Sequence, residues 1–79
     1  MKDKKQLLEE IRDDVIKNQL SRELELEHVE NYLMPKALKI KKKEDRKVNV
    51  QTLENKKKEL KEEMEARKHI LKVLDKRLK

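Results

Sequence analysis

The segment from Glu25 to His28 is the one stretch of the sequence with the spacing of a metal site. Glu and His three residues apart share a helix face, and two such motifs with two further carboxylates hold a pair of metal ions in four-helix bundles. One copy supplies only half of that set. His69 follows Glu65 by four residues, but antiparallel helices would separate it from His28. We therefore expect a solvated acidic face, with no metal and no other cofactor.

Side chains for covalent catalysis are nearly absent. The chain has no Cys, and Ser21 and Thr52 are its only hydroxyl residues of the kind that act as nucleophiles with a neighbouring base. Glycine is absent too, which excludes a glycine-rich phosphate loop. We expect a protein that is not an enzyme. The lack of Cys also excludes a disulfide framework and fits a cytoplasmic location.

Two basic clusters have the composition of polyanion-binding sites. Residues 36–47 carry seven Lys or Arg against two acidic residues, and residues 67–79 carry six against one. Such clusters bind phosphate backbones, or they simply keep a surface solvated. The only aromatic residue, Tyr32, lies outside both clusters, so stacking on bases is not expected. The candidate polyanion-binding residues are Lys36, Lys39, Lys41, Lys42, Lys43, Arg46, Lys47, Arg67, Lys68, Lys72, Lys76 and Arg77.

A heptad pattern in the second half of the chain must position the second cluster. Alternate steps of four and three residues run through Leu53, Lys57, Leu60, Met64, Arg67, Leu71, Leu74 and Leu78. A helix with this stripe has to be covered by another helix. Of the 79 residues, 51% are charged and 34% hydrophobic, which by itself would also fit disorder. The sustained heptad spacing favours a helical protein instead.

The first segment is predicted to be a helix over about residues 4–33. Asp3 and Gln6 have the spacing of a capping box at its start, and Pro35 is expected to end it. Its apolar stripe is wider and less regular than the heptad stripe. From the two helices together we predict residues of the core or of a self-association surface. They are Leu8, Ile11, Val15, Leu20, Leu24, Val29, Leu53, Leu60, Met64, Leu71, Leu74 and Leu78.

The connector over residues 34–49 is open to two interpretations. Leu38 and Ile40 alternate with polar residues, as do Val48 and Val50, which predicts a short β-hairpin or an irregular loop. A helix that continues through the connector is the alternative. Asn49 has the residue type of a helix N-cap, so the second helix is expected over about residues 50–77.

Charge favours an antiparallel pairing of the two helices. Residues 1–34 carry six basic and nine acidic residues, and residues 35–79 carry seventeen and eight. If opposed residue numbers add up to about 82 to 84, Leu24 meets Leu60, Leu20 meets Met64 and Glu25 lies near Lys57. The expected fold is all-α: a single coiled-coil hairpin domain over residues 1–79, which dimerises into a four-helix bundle because a lone hairpin buries little surface.

No apolar run is long enough to span a membrane. The predicted function is that of a self-associating, non-enzymatic adaptor, scaffold or regulator that binds a protein partner. The alternative is a regulator that binds nucleic acid through the basic ends of the hairpin.

Overall fold

The protein is an antiparallel helical hairpin, which confirms the prediction of an all-α fold. The computed structural model describes residues 1–79, and only residues 1–3, 39–42 and 79 lie outside helices. The elements are α1 (Lys4–His28), a π-helical turn (Val29–Leu33), α2 (Met34–Leu38) and α3 (Lys43–Leu78). The hairpin is 59 Å long and 17 Å wide. None of its helices combines the length and the apolar composition that crossing a membrane requires.

The predicted capping box is confirmed at the start of α1. The backbone N–H of Gln6 donates to Asp3 Oδ1 at 2.8 Å, and the backbone N–H of Asp3 donates to Gln6 Oε1 at 3.1 Å. Two of the N–H groups that a helix start leaves unpaired are therefore satisfied, which fixes where α1 begins.

Pro35 does not end the first helix, so that prediction is wrong. Proline has no N–H to donate, and its ring clashes with the carbonyl four residues earlier in a regular α-helix. Here a π-helical turn precedes it, in which the N–H of Met34 bonds the carbonyl of Val29, five residues back. The wider turn moves the carbonyls out of regular α register and lets the chain continue as helix. It also adds a residue to the turn, so that Val29 and Ala37 are both buried against α3.

The connector is four residues long and contains no β-hairpin, because residues 43–50 form the first two turns of α3. The stretch lacks the Asn-Gly or Asp-Gly pair that a tight hairpin needs. Glu44 and Asp45 instead lie in the first turn of α3, where their negative charges interact favourably with the positive end of the helix dipole. Arg46 Nη1 donates to the carbonyl of Ile40 at 3.4 Å and ties the connector to the helix.

Asn49, predicted as the N-cap of the second helix, lies one and a half turns inside α3. Its Nδ2 donates to the carbonyl of Asp45 at 2.7 Å, four residues earlier. Thr52 Oγ1 makes the same kind of bond to the carbonyl of Val48 at 2.9 Å. Polar side chains that bond back to the helix in this way are compatible with its interior, so Asn49 does not mark a boundary.

The core between the helices is thin. Leu60 is 1% exposed, and the other buried apolar side chains are Val29, Ala37 and Leu74. All eight heptad positions predicted from Leu53 to Leu78 are at least partly buried. We call them, with their counterparts in α1 and the π-helical turn, the inner positions. The counterparts are Leu8, Arg12, Val15, Gln19, Arg22, Leu26, Val29 and Leu33.

Candidate interaction surfaces

Three aliphatic side chains of α1 point out of the hairpin, contrary to the predicted register. Ile11 is 49% exposed, Leu20 53% and Leu24 66%. They therefore do not belong to the core of the hairpin. The helix is rotated by about one residue from the expected pairing, so that Gln19 opposes Met64 in place of Leu20, and its Nε2 donates to the Met64 carbonyl at 3.1 Å. A role in self-association remains a prediction for the three exposed residues.

Long polar side chains fill the inner positions that these aliphatic residues vacate. Arg12 Nη1 lies 3.6 Å from Asp75 Oδ1. Arg22 Nε lies 2.7 Å from Glu63 Oε2, without the alignment of a hydrogen bond. Arginine can cover apolar surface with its stem while its guanidinium reaches a carboxylate at the edge. The middle of the interface between α1 and α3 is consequently polar, and it specifies orientation more than it adds stability.

Glu25 belongs to this polar network. Its carboxylate lies 3.4 Å from Lys56 Nζ and accepts a hydrogen bond from Arg22 Nη1 at 3.1 Å. The hydrogen bond with Lys56 lowers the pKa of Glu25, with a smaller contribution from Arg22, while partial desolvation acts in the opposite direction. His28 stacks on the ring of Tyr32, with centroids 5.2 Å apart. Nowhere does the structure gather three His, Asp or Glu side chains that could hold a metal ion.

The basic residues of the connector form a cluster at the closed end of the hairpin, which we call the basic tip. It lies on α2, the connector and the first turns of α3. None of its basic side chains takes part in an ion pair, although the rest of the hairpin contains eight such contacts. The basic tip consists of Lys36, Lys39, Lys41, Lys42, Lys43, Arg46 and Lys47.

The second predicted cluster is divided by the fold. Arg67 occupies an inner position, with 21% of its side chain exposed and Nη1 at 3.7 Å from Glu63. Lys68 Nζ lies 3.4 Å from Glu65. Lys72, Lys76 and Arg77 remain exposed and unpaired near the open end of the hairpin. The open end therefore offers fewer free cations to a polyanion than the sequence predicted.

The two flanks of the hairpin differ in charge, which the sequence analysis missed. With the inner positions assigned as a and d of a heptad, positions c and g form one flank and positions b and e the other. Over residues 4–33 and 46–79, seven of the eighteen c and g residues are charged, against fourteen of the eighteen b and e residues. We call the first surface the low-charge flank. It also contains Ser21, Thr52 and Tyr32, the only residues of their types.

An apolar patch lies on the low-charge flank near the open end. It consists of Leu7 (47% exposed), Ile11 (49%), Ile70 (43%) and Val73 (40%). In an antiparallel pair, g positions face each other, as Glu25 and Lys56 do. Ile11 and Ile70 are g positions that face each other in the same way, two heptads nearer the open end. The helical spacing therefore brings aliphatic side chains from both helices onto one surface. A helical wheel drawn from the heptad of α3 would have revealed it.

Comparisons with protein-family models, with curated proteins and with solved structures gave no significant match for this chain.

Proposed function

We propose that this chain is a small non-enzymatic helical protein that self-associates and acts as an adaptor, scaffold or regulator by binding another macromolecule. The observation that carries the proposal is the low-charge flank with its apolar patch. Charged residues are normally enriched on solvated helix surfaces and depleted from the centres of interfaces. The low-charge flank has half as many charged residues as the opposite flank and carries four exposed aliphatic residues close together, which is the composition of an interface.

The surface area of the hairpin also supports self-association. A compact monomer of 9.6 kDa is expected to expose about 5,100 Å², whereas the hairpin exposes 6680 Å². A standard interface buries about 800 Å² on each partner. The flank of a hairpin 59 Å long is large enough to supply that area. The exposed area above that of a compact monomer favours a second copy of the chain as the binding partner, because a dimer would lower the exposed area of both copies at once.

The largest surface depression of the hairpin is polar. It measures about 500 Å³, lies along the b and e flank of α3 and has no hydrophobic residue in its lining, whereas a smaller one of about 300 Å³ near the closed end has a mainly apolar lining. Substrate and cofactor sites are mostly apolar clefts with a few convergent polar groups. The residues lining the largest depression are Glu54, Lys57, Lys58, Lys61, Glu62 and Glu65.

Sedimentation equilibrium from micromolar to millimolar concentration tests the proposal. We expect the mass of a dimer for the wild type and a dissociation constant at least tenfold weaker for Ile70→Glu, which buries a charge in the proposed interface. Leu24→Glu is the matched comparison, since it adds the same charge to an exposed aliphatic position outside the low-charge flank; an equal loss of affinity in both variants would refute the low-charge flank and move the interface to the outer face of α1. Circular dichroism must show equal helicity for the three proteins. A monomeric wild type at millimolar concentration would refute self-association.

The second candidate function is binding of nucleic acid, and the basic tip supports it. Residues 36–47 include seven basic and two acidic residues, and the basic side chains form no ion pairs. Replacing Lys41, Lys42 and Lys43 with Gln should change the free energy of unfolding by no more than about 0.5 kcal/mol, because all three are exposed. The same variant should bind a DNA or RNA duplex more weakly, with a smaller slope of log affinity against log salt, since fewer counterions are released. Affinity at two salt concentrations measures both effects. Equal affinity and slope for wild type and variant would exclude the tip as the binding site.

A further inference from the structure

We infer that two copies dock along their low-charge flanks with the hairpins pointing the same way, so that their two basic tips form one composite site for the phosphate backbone of a nucleic-acid duplex. This inference rests on the proposed self-association. It adds the arrangement of the copies and the class of ligand that the arrangement fits.

A two-fold dimer of hairpins stacked flank on flank has two simple arrangements. If the symmetry axis runs along the hairpin, α1 lies over α3 of the partner and both basic tips are at the same end. If the axis runs across the hairpin, α1 lies over α1 of the partner and the tips are at opposite ends. The two arrangements bury the same flank and differ in which residues meet.

The apolar patch favours the first arrangement. Because the patch lies near the open end, only copies that point the same way bring it onto itself. Leu7 and Ile11 on α1 would then lie over Ile70 and Val73 on α3 of the other copy. In the opposite arrangement the patch would lie over the closed half of the flank, where the chain has Tyr32 and Thr52 and no aliphatic residue at c or g. Burying apolar against apolar surface is the larger gain, at about 25 cal/mol per Å².

Away from the basic tips, the net charges of the helices favour the same arrangement. Helix α1 carries five basic and seven acidic residues, and α3 carries twelve and eight. The parallel dimer places each acidic α1 between two basic α3 helices. The opposite arrangement places α1 on α1 and α3 on α3, so that helices of the same net charge are paired.

The parallel dimer doubles the charge at one end. Each basic tip carries a net charge of +5 from seven basic and two acidic residues over residues 36–47. Packed helices are separated by 8–10 Å, so the two tips would lie within about 20 Å of each other. A duplex offers about one phosphate charge per 1.7 Å of its axis and can contact both tips at once. The one aromatic side chain beside the tip is Tyr32, whose ring lies 5.5 Å from Lys36 Nζ. Because Tyr32 belongs to the flank that docks in the dimer, we assign the tip the backbone of a duplex and not stacking on single-stranded bases.

Repulsion between the two basic tips couples duplex binding to dimerisation. Two clusters of +5 destabilise the parallel dimer until a polyanion neutralises them. A duplex that binds both tips must therefore strengthen self-association, and self-association must strengthen duplex binding by the same factor. We expect the dimer dissociation constant to fall at least tenfold in the presence of a 20-base-pair duplex at low salt.

Distances between spin labels test the arrangement, and the absence of Cys permits single-site labelling. Val48→Cys and Lys76→Cys both lie at position f, outside the flank, and are separated by about 42 Å of helix. In the parallel dimer, both the 48-to-48 and the 76-to-76 distances equal the width of the bundle, about 20–30 Å. In the opposite arrangement both exceed about 40 Å. Pulsed electron paramagnetic resonance separates these ranges.

The outcomes distinguish the inference from the proposed function. Dimers with long distances for both labels overturn the arrangement and leave self-association standing. A monomeric mass at every concentration, with and without duplex, overturns both. Short distances together with duplex binding that is unchanged in the Lys41, Lys42 and Lys43 to Gln variant overturn the composite site alone. Short distances, a smaller salt slope in that variant, and loss of duplex affinity of tenfold or more in Ile70→Glu, but not in Leu24→Glu, support the inference.

Discussion

Helices α1 and α3 pack against each other but use their apolar residues differently. In α3 the inner positions include Leu60 and Leu74, the most deeply buried leucines of the hairpin. In α1 the inner positions include Arg12, Gln19 and Arg22, while Ile16, Leu20 and Leu24 face outward. One helix is organised around the hairpin core. The other supplies a polar half of that core and leaves apolar side chains exposed.

The largest effect is expected at the centre of the α3 stripe. Leu60→Ala should lower the free energy of unfolding by about 2–5 kcal/mol, because Leu60 is 1% exposed and its loss leaves a cavity. Leu24→Ala, at a residue 66% exposed, should change it by no more than about 0.5 kcal/mol when measured at a concentration that keeps the protein monomeric. Urea unfolding followed by circular dichroism gives both values. Similar losses for the two variants would erase the difference between the helices.

The stripe of α3 could be predicted from the sequence because its apolar residues occupy one face. Strict steps of four and three leave a single way to orient the helix. α1 has aliphatic residues on several faces, so periodicity does not determine which face turns inward. The predicted face contained Ile11, Leu20 and Leu24, but the structure turns in a neighbouring face, where Arg22 and Arg12 can reach Glu63 and Asp75. That choice depends on the partner helix and is not encoded locally.

The connector was mispredicted for a related reason. The alternation of Val48 and Val50 fits a strand, but two residues are a weak signal. Helix formation is cooperative, so the long helix that follows these residues extends through them. Pro35 is a stop signal for a regular α-helix, but the π-helical turn that precedes it lets the chain continue as helix. The basic tip depends less on these details. Its residues are close in sequence and stay together whether the connector is a loop or a helix. Arg67 differs, because it lies on the heptad stripe that packs against α1 and is therefore largely buried.

A smaller, stabilising effect is expected when the inner face of α1 is made more like that of α3. Gln19 is 8% exposed, and its Oε1 is buried without a hydrogen-bond partner. Gln19→Leu removes that unsatisfied acceptor and adds apolar contact with Met64, so the free energy of unfolding should rise by about 1 kcal/mol. The amide also constrains the register of α1. We therefore expect the variant to show broader amide resonances in α1, a result that thermal unfolding alone would not reveal.

The smallest effect concerns acid. The hydrogen bond from Lys56 lowers the pKa of Glu25 in the folded state, so the ionised form of Glu25 stabilises the hairpin. That contribution is complete above the ordinary Glu value of 4.5 and is lost as the pH falls through the lowered pKa. Glu25→Gln should therefore reduce the melting temperature at neutral pH, with the difference from wild type shrinking as the pH falls below 4.5. Glu27→Gln is the control, because Glu27 is exposed and makes no ion pair. If both variants follow the same pH profile, the network of Glu25, Arg22 and Lys56 does not hold α1 against α3, and the orientation of α1 must be attributed to Arg12, Gln19 and the apolar inner residues.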